Sequence, residues 1–223
     1  MIPANLSGVK AVAAGWFHSV ALLTNGTVTA WGDNSMRQTN VPQGLTNVTA
    51  ISACFFHSLA LKGDGTVVGW GGNFGGETIA PVGLSNVVAI AAGLEHSLAL
   101  KADGTVVAWG DGSVGQTNVP PGLSNVMAIA AGQSHSVALK NDGTVVCWGY
   151  NGDGQTNVVE QCNGMEIVDG GLSKQSSRST AFAAVMAKVI SPNGLQAMLL
   201  AARIIPIHQL GRYRIRKNHT CLV

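Results

Sequence analysis

Residues 91–120 read AAGLEHSLALKADGTVVAWGDGSVGQTNVP. Asn86 to Ala92 and His96 to Leu100 are apolar runs too short, and too closely bounded by glycine, to be helices. Asp103-Gly104 separates the second run from Thr105 to Trp109. Asp-Gly between two β runs marks a hairpin, because glycine takes positive φ without a Cβ clash. Gly110 to Gly115 follows as a loop, and Gln116 to Val119 as a short edge strand closed by Pro120 and Pro121. The stretch thus reads as the larger part of a unit of about four short strands.

The same pattern recurs at a step of 39 residues. His18, His57, His96 and His135 share it, as do Trp31, Trp70, Trp109 and Trp148, the prolines Pro3, Pro42, Pro81 and Pro120, and the Gly-Thr-Val runs from Gly26, Gly65, Gly104 and Gly143. Four units follow, 3–41, 42–80, 81–119 and 120–158, with 159–223 as a non-repeat tail. One small sheet cannot bury its own faces, so neighbouring units must stack and share a core. This predicts an all-β fold: a partial or open β-propeller of four roughly four-stranded blades. Each unit's tryptophan is expected to fill the gap between blades.

With those residues in view, the 91–120 string resembles the repeat of the regulator of chromosome condensation superfamily, over about 155 residues in four in-register copies. The resemblance implies a propeller of seven blades, about three more than this chain supplies. It also implies, from the superfamily's founding member, guanine-nucleotide exchange on a small GTPase. The repeats are similar as well to those of a bacterial β-lactamase inhibitor, a propeller that binds an enzyme through rim aromatics, which would make the chain a secreted inhibitor.

Composition agrees with strands and turns: 11% of residues are charged against a usual quarter, and 29 of 223 are glycine. Residues 1–158 carry five Lys/Arg against eight Asp/Glu, whereas 159–223 carry eight against three, so the basic excess belongs to the tail. No signal peptide or transmembrane run is visible, and compartment is left open. The repeat fails beyond Val158, where projection places Lys174 for histidine and Ala187 for tryptophan. Ala181 to Val189 and Leu195 to Ile205 have helix-forming composition, and Gly211 to Lys217 is basic. The tail is either a helical cap, whose basic arm would suit nucleic acid or an anionic membrane, or the product of a reading-frame slip.

The four histidines share their strand faces with apolar residues and are read as structural, as are the four tryptophans; no metal site, cofactor or catalytic constellation is expected, and the chain is not read as an enzyme. Cys54 and Cys147 replace glycine or alanine of other units and are read as small-residue substitutes. Asp64, Asp103 and Asp142 take ordinary hairpin-turn positions. What varies is the loops, and loops on a fixed frame carry binding. Trp16, Phe17, Met36, Arg37, Phe55, Phe56, Phe74, Leu94 and Glu95 are the candidate protein-binding residues, the aromatics serving either as an interface or as filling between blades. The leading function is a protein-interaction module with an unidentified protein partner, open blade edges adding self-association. The frame-slip reading is tested on the nucleotide sequence beyond codon 158: strings like HSLAL and DGTVVAWG in another frame are expected, and their absence from every frame contradicts it.

Overall fold

A computed structural model describes Pro3, Ala4 and residues 6–158. The helical and basic segments expected after Val158 lie outside the described residues, and so does the choice between cap and frame slip. The chain forms twelve strands: β1 (Val9–Ala14), β2 (His18–Leu23), β3 (Val28–Gly32), β4 (Val48–Cys54), β5 (His57–Lys62), β6 (Val67–Gly71), β7 (Val87–Ala92), β8 (His96–Lys101), β9 (Val106–Gly110), β10 (Val126–Ala131), β11 (His135–Lys140) and β12 (Val145–Gly149). They make four separate antiparallel sheets, each three consecutive strands in sequence order. The architecture is the all-β, partial propeller expected.

One expectation needs correction: each blade has three strands, not four. Residues 116–119 and their counterparts are turns, because their hydrogen-bonding groups are used elsewhere. Asn118 N donates to Gly115 O and Val119 N to Thr117 O, each at 3.0 Å. The Gln116 carbonyl accepts from the next blade, as described below, and Pro120 has no N–H to offer a ladder. The hairpins are as read: Thr66 N donates to Asp64 Oδ1 at 3.0 Å, Thr105 N to Asp103 Oδ1 at 3.0 Å and Thr144 N to Asp142 Oδ1 at 2.9 Å. These aspartates lie below their ordinary pKa because hydroxyl, amide and lysine donors stabilise the charged form.

The core lies between blades. Val20 and Leu22 of the first pack with Val48, Ala60 and Trp70 of the second; Leu59 and Leu61 with Val87, Ala99 and Trp109; Leu98 and Leu100 with Val126, Ala138 and Trp148. The three tryptophans are buried, so truncating one to alanine should cost about 3–5 kcal/mol. The first blade's incoming face has no preceding blade among the described residues, and Val12 is 73% exposed there.

A buried polar relay crosses each interface. His57 Nε2 lies 3.1 Å from Ser97 Oγ of the next blade, and Ser97 Oγ donates to Glu77 O at 2.8 Å. His96, Ser136 and Gln116 O repeat the arrangement at 3.0 and 2.8 Å, and His18 Nε2 lies 2.8 Å from Ser58 Oγ. Two tryptophan indoles donate to the same carbonyls, Trp109 to Glu77 O at 2.8 Å and Trp148 to Gln116 O at 2.9 Å, and Trp70 donates to the equivalent Gln38 O at 3.0 Å. A serine hydroxyl thus stands between His57 or His96 and the loop carbonyl. A hydroxyl has one hydrogen, and at Ser97 and Ser136 the carbonyl takes it, so the serine oxygen accepts from the Nε2–H of His57 and His96.

Two tests follow. Ser97→Ala leaves the buried His57 Nε2–H without an acceptor and should cost about 1–3 kcal/mol in chemical denaturation, whereas Ser113→Ala, at an exposed loop hydroxyl, should cost under about 0.5 kcal/mol. Burial pushes His57 down to about 3 and His96 down to about 4. The unfolded chain titrates near pH 6.5 and takes up protons that the folded chain refuses. Stability is therefore full above that pH and is lost below it, by about 1.4 kcal/mol per pH unit for each such histidine. Denaturation midpoints from pH 7.5 to 4.5 should fall accordingly, and a flat profile would contradict neutral burial.

Candidate binding rim

Antiparallel order within each blade places two kinds of loop at one end: the turns between first and second strands, and the loops that follow the third. Backbone bonds tie them together. Asp33 N donates to Phe17 O at 2.8 Å, Gly72 N to Phe56 O at 2.9 Å, Asp111 N to Glu95 O at 2.8 Å and Tyr150 N to Ser134 O at 2.8 Å. Adjacent blades are also bridged there, Trp16 N to Phe55 O at 3.2 Å and Leu94 N to Gln133 O at 3.1 Å.

On this rim five of the candidate residues form one continuous row. Ring centroids are 6.2 Å apart for Trp16 and Phe17, 4.5 Å for Trp16 and Phe55, 6.0 Å for Phe17 and Phe56, 4.0 Å for Phe55 and Phe56, and 6.2 Å for Phe56 and Phe74. Phe55 and Phe56 are half-buried beneath the row, while Trp16, Phe17 and Phe74 are 53%, 58% and 57% exposed. Two of the five rings are thus half-buried and three are exposed to solvent. Met36 and Arg37 are exposed on the first unit's loop, and Leu94 and Glu95 half-buried in the third unit's turn; these four lie on the same rim outside the ring row.

The loops are held from inside by residues that sequence reading passed over. Gln38 Nε2 donates to Asp33 Oδ2 at 2.7 Å and Gln38 Oε1 accepts Met36 N at 2.8 Å; Gln116 does the same with Asp111 at 2.6 Å and Val114 N at 3.0 Å. The second unit has Gly72 where the others have Asp33 and Asp111, and there the buried residue is Glu77, whose carboxylate accepts Phe74 N at 3.1 Å and Gly75 N at 2.8 Å. Each of the first three units thus keeps one carboxylate at this pair of positions, whereas the fourth has Tyr150 and Gln155. The five-residue spacing of Asp33 to Gln38 and Asp111 to Gln116, with its compensating swap in unit two, was the available signal.

Local strain also gathers here. Arg37 has φ 64 where the other units have Gly76, Gly115 and Gly154, and Phe55 has φ 42. Non-glycine residues in the left-handed region cost on the order of 1 kcal/mol, and such cost tends to collect at functional surfaces. The second unit's turn also differs because Cys54 replaces a glycine. At Gly93 and Gly132 a Cβ would strike the imidazole of His96 or His135; with Cys54 in that place β4 runs on to pair Cys54 with His57. Burial raises the Cys54 thiol, as it does that of Cys147, so neither is activated.

Electrostatically the two ends of the array differ. Asp33 is lowered chiefly by the Ser35 hydroxyl and Asp111 by the Ser113 amide, whereas Glu95 is raised by desolvation and then by repulsion from Glu77 and Asp111. No group of His, Cys, Asp and Glu among the described residues is arranged to hold a metal ion.

The family model of the regulator of chromosome condensation repeat matches this chain four times, over residues 9–38, 48–77, 87–116 and 127–155. No curated protein matches. Among solved structures, Prp20p of Saccharomyces cerevisiae, described with its binding properties to Gsp1p and histones, is 26% identical with a TM-score of 0.59, over 69% of this chain and 47% of its own. The same yeast protein bound to Kap60 superposes at 0.56 and 26% identity, over 64% and 44%. The ectodomain of the Physcomitrella patens receptor kinase CR4 gives 0.55 and 27%, over 63% and 41%. The chain spans less than half the length of each. Replacing Arg37 by glycine should raise stability by about 0.5–1 kcal/mol in denaturant unfolding, because it relieves the left-handed backbone; a loss would show that the arginine side chain holds the loop.

Proposed function

The chain belongs to the regulator of chromosome condensation repeat family, and from that premise we propose that it is a protein-binding module rather than an enzyme, its contact surface the aromatic rim of the first two units. The observation that carries this is the row from Trp16 to Phe74. Three exposed rings are braced by two half-buried ones on loops that Gln38 and Glu77 hold from inside. Rigid aromatics lose little conformational entropy on binding and are enriched where interface energy concentrates. Leaving three such rings in water serves no purpose within the blade, since each interface is already filled by its tryptophan.

Prp20p is described with Gsp1p, histones and Kap60, all proteins, which supports the class of partner. A second reading, exchange activity on a small GTPase, is favoured by the 26% identity to a protein described with Gsp1p, and the rim would again be the surface that meets the GTPase. In either reading the partner leaves when the aromatics do. Trp16→Ala combined with Phe74→Ala should weaken capture of a protein partner by more than tenfold while thermal unfolding shifts little, because both side chains are mostly solvent-exposed. Capture unchanged in the double variant would contradict the assignment.

A further inference from the structure

We propose that the rim receives an extended, arginine-bearing segment of a partner protein, a guanidinium group seated between the aromatic row and the Glu95 carboxylate, with the buried Glu77 and the loop-bound Asp111 adding negative potential behind it. This rests on the protein-binding reading above and names the chemistry of the partner.

The charges of the described residues are sorted by end. The rim loops carry Asp33, Glu77, Glu95, Asp111 and Asp153 against Arg37 alone. At the opposite end the hairpin aspartates are each neutralised in place: Lys62 to Asp64 at 2.8 Å, Lys101 to Asp103 at 3.1 Å and Lys140 to Asp142 at 3.1 Å. These three ion pairs lie at the hairpin end, opposite the aromatic rim. A one-signed field at one end attracts a basic segment and repels phosphate-bearing surfaces.

The aromatic row and the acidic group are also contiguous. Phe74, last of the rings, has its backbone N–H on Glu77 Oε1, and Gly75 beside it packs against Asp111, whose N–H is held by the Glu95 carbonyl. A chain laid from the first blade to the third would pass from ring faces to the half-buried Glu95 carboxylate. Burial and the neighbouring Glu77 and Asp111 raise Glu95, so that a third negative charge there is held at a cost that an incoming cation removes. Arginine suits the place better than lysine, since its planar guanidinium stacks on a ring face and forks onto a carboxylate at once.

The test displays randomised twelve-residue peptides to the full chain, then titrates one selected peptide and its citrulline counterpart, which keeps the shape and removes the charge. Arginine should be enriched, citrulline should weaken binding at least tenfold, and Glu95→Gln and Phe74→Ala should each weaken it at least threefold. Selected peptides with no excess of arginine, yet lost on Trp16→Ala, would overturn the proposal and leave the rim as a protein-binding surface. Peptides indifferent to Trp16→Ala and Phe74→Ala would overturn both. Replacing Arg212, Arg214 and Arg216 by glutamine in the full chain should leave peptide affinity unchanged. A rise would make this chain's own tail the occupant and overturn a partner in trans.

Discussion

The backbone carbonyl of one loop residue per unit is the point on which the array turns. Glu77 O receives two buried donors from the next blade, the Ser97 hydroxyl and the Trp109 indole, and Gln116 O receives Ser136 and Trp148 in the same way. A carbonyl has two lone pairs, and here both are used by a neighbour. The hydroxyl so committed has only its oxygen left for His57, which puts a hydrogen on Nε2, while burial keeps the ring uncharged. The relay works only between blades, as does the burial of each tryptophan, so cohesion in this protein is a property of pairs of units.

The same residue that joins blades with its backbone shapes the rim with its side chain. Gln38, Glu77 and Gln116 are buried, and their terminal amide or carboxylate gathers the loop N–H groups around them. Loops anchored to an interface in this way are rigid platforms, and residues set on them present fixed surfaces. Hence substitutions can accumulate in the turns before each histidine, Trp16-Phe17 in one unit and Gln133-Ser134 in another, without disturbing the relay beneath. Gly110 shows the tightness of the joint. It has φ 102, and a Cβ there would press on the Glu95 carbonyl of its own blade and on Glu77 of the loop before it.

Much of this was legible in the sequence because repetition exposes what each position must do. A tryptophan and a histidine returning every 39 residues announce shared interfaces, and Asp-Gly between apolar runs announces the hairpins. The serine after each histidine was not recognised, since its partner lies 40 residues away and no local periodicity links them. Gln116 to Val119 reads as an edge strand from its place between the loop and Pro120-Pro121; the fold spends those amides and carbonyls on turns and on the next blade. Exposure of Trp16, Phe17 and Phe74 was likewise undecided by sequence. A residue's place in a turn does not say toward which side its ring leaves, and Phe55, at φ 42, is half-buried against Trp16 and Phe56.

The tautomer of His57 and His96 tests this picture most directly. Long-range nitrogen–proton correlation on histidine-labelled protein at pH 6 reads which ring nitrogen carries hydrogen. Neutral rings protonated at Nε2 are the expected result, since the serine hydroxyl has already given its hydrogen to the Glu77 or Gln116 carbonyl. Rings protonated at Nδ1, or charged at that pH, would contradict a relay running from histidine through serine to the loop carbonyl.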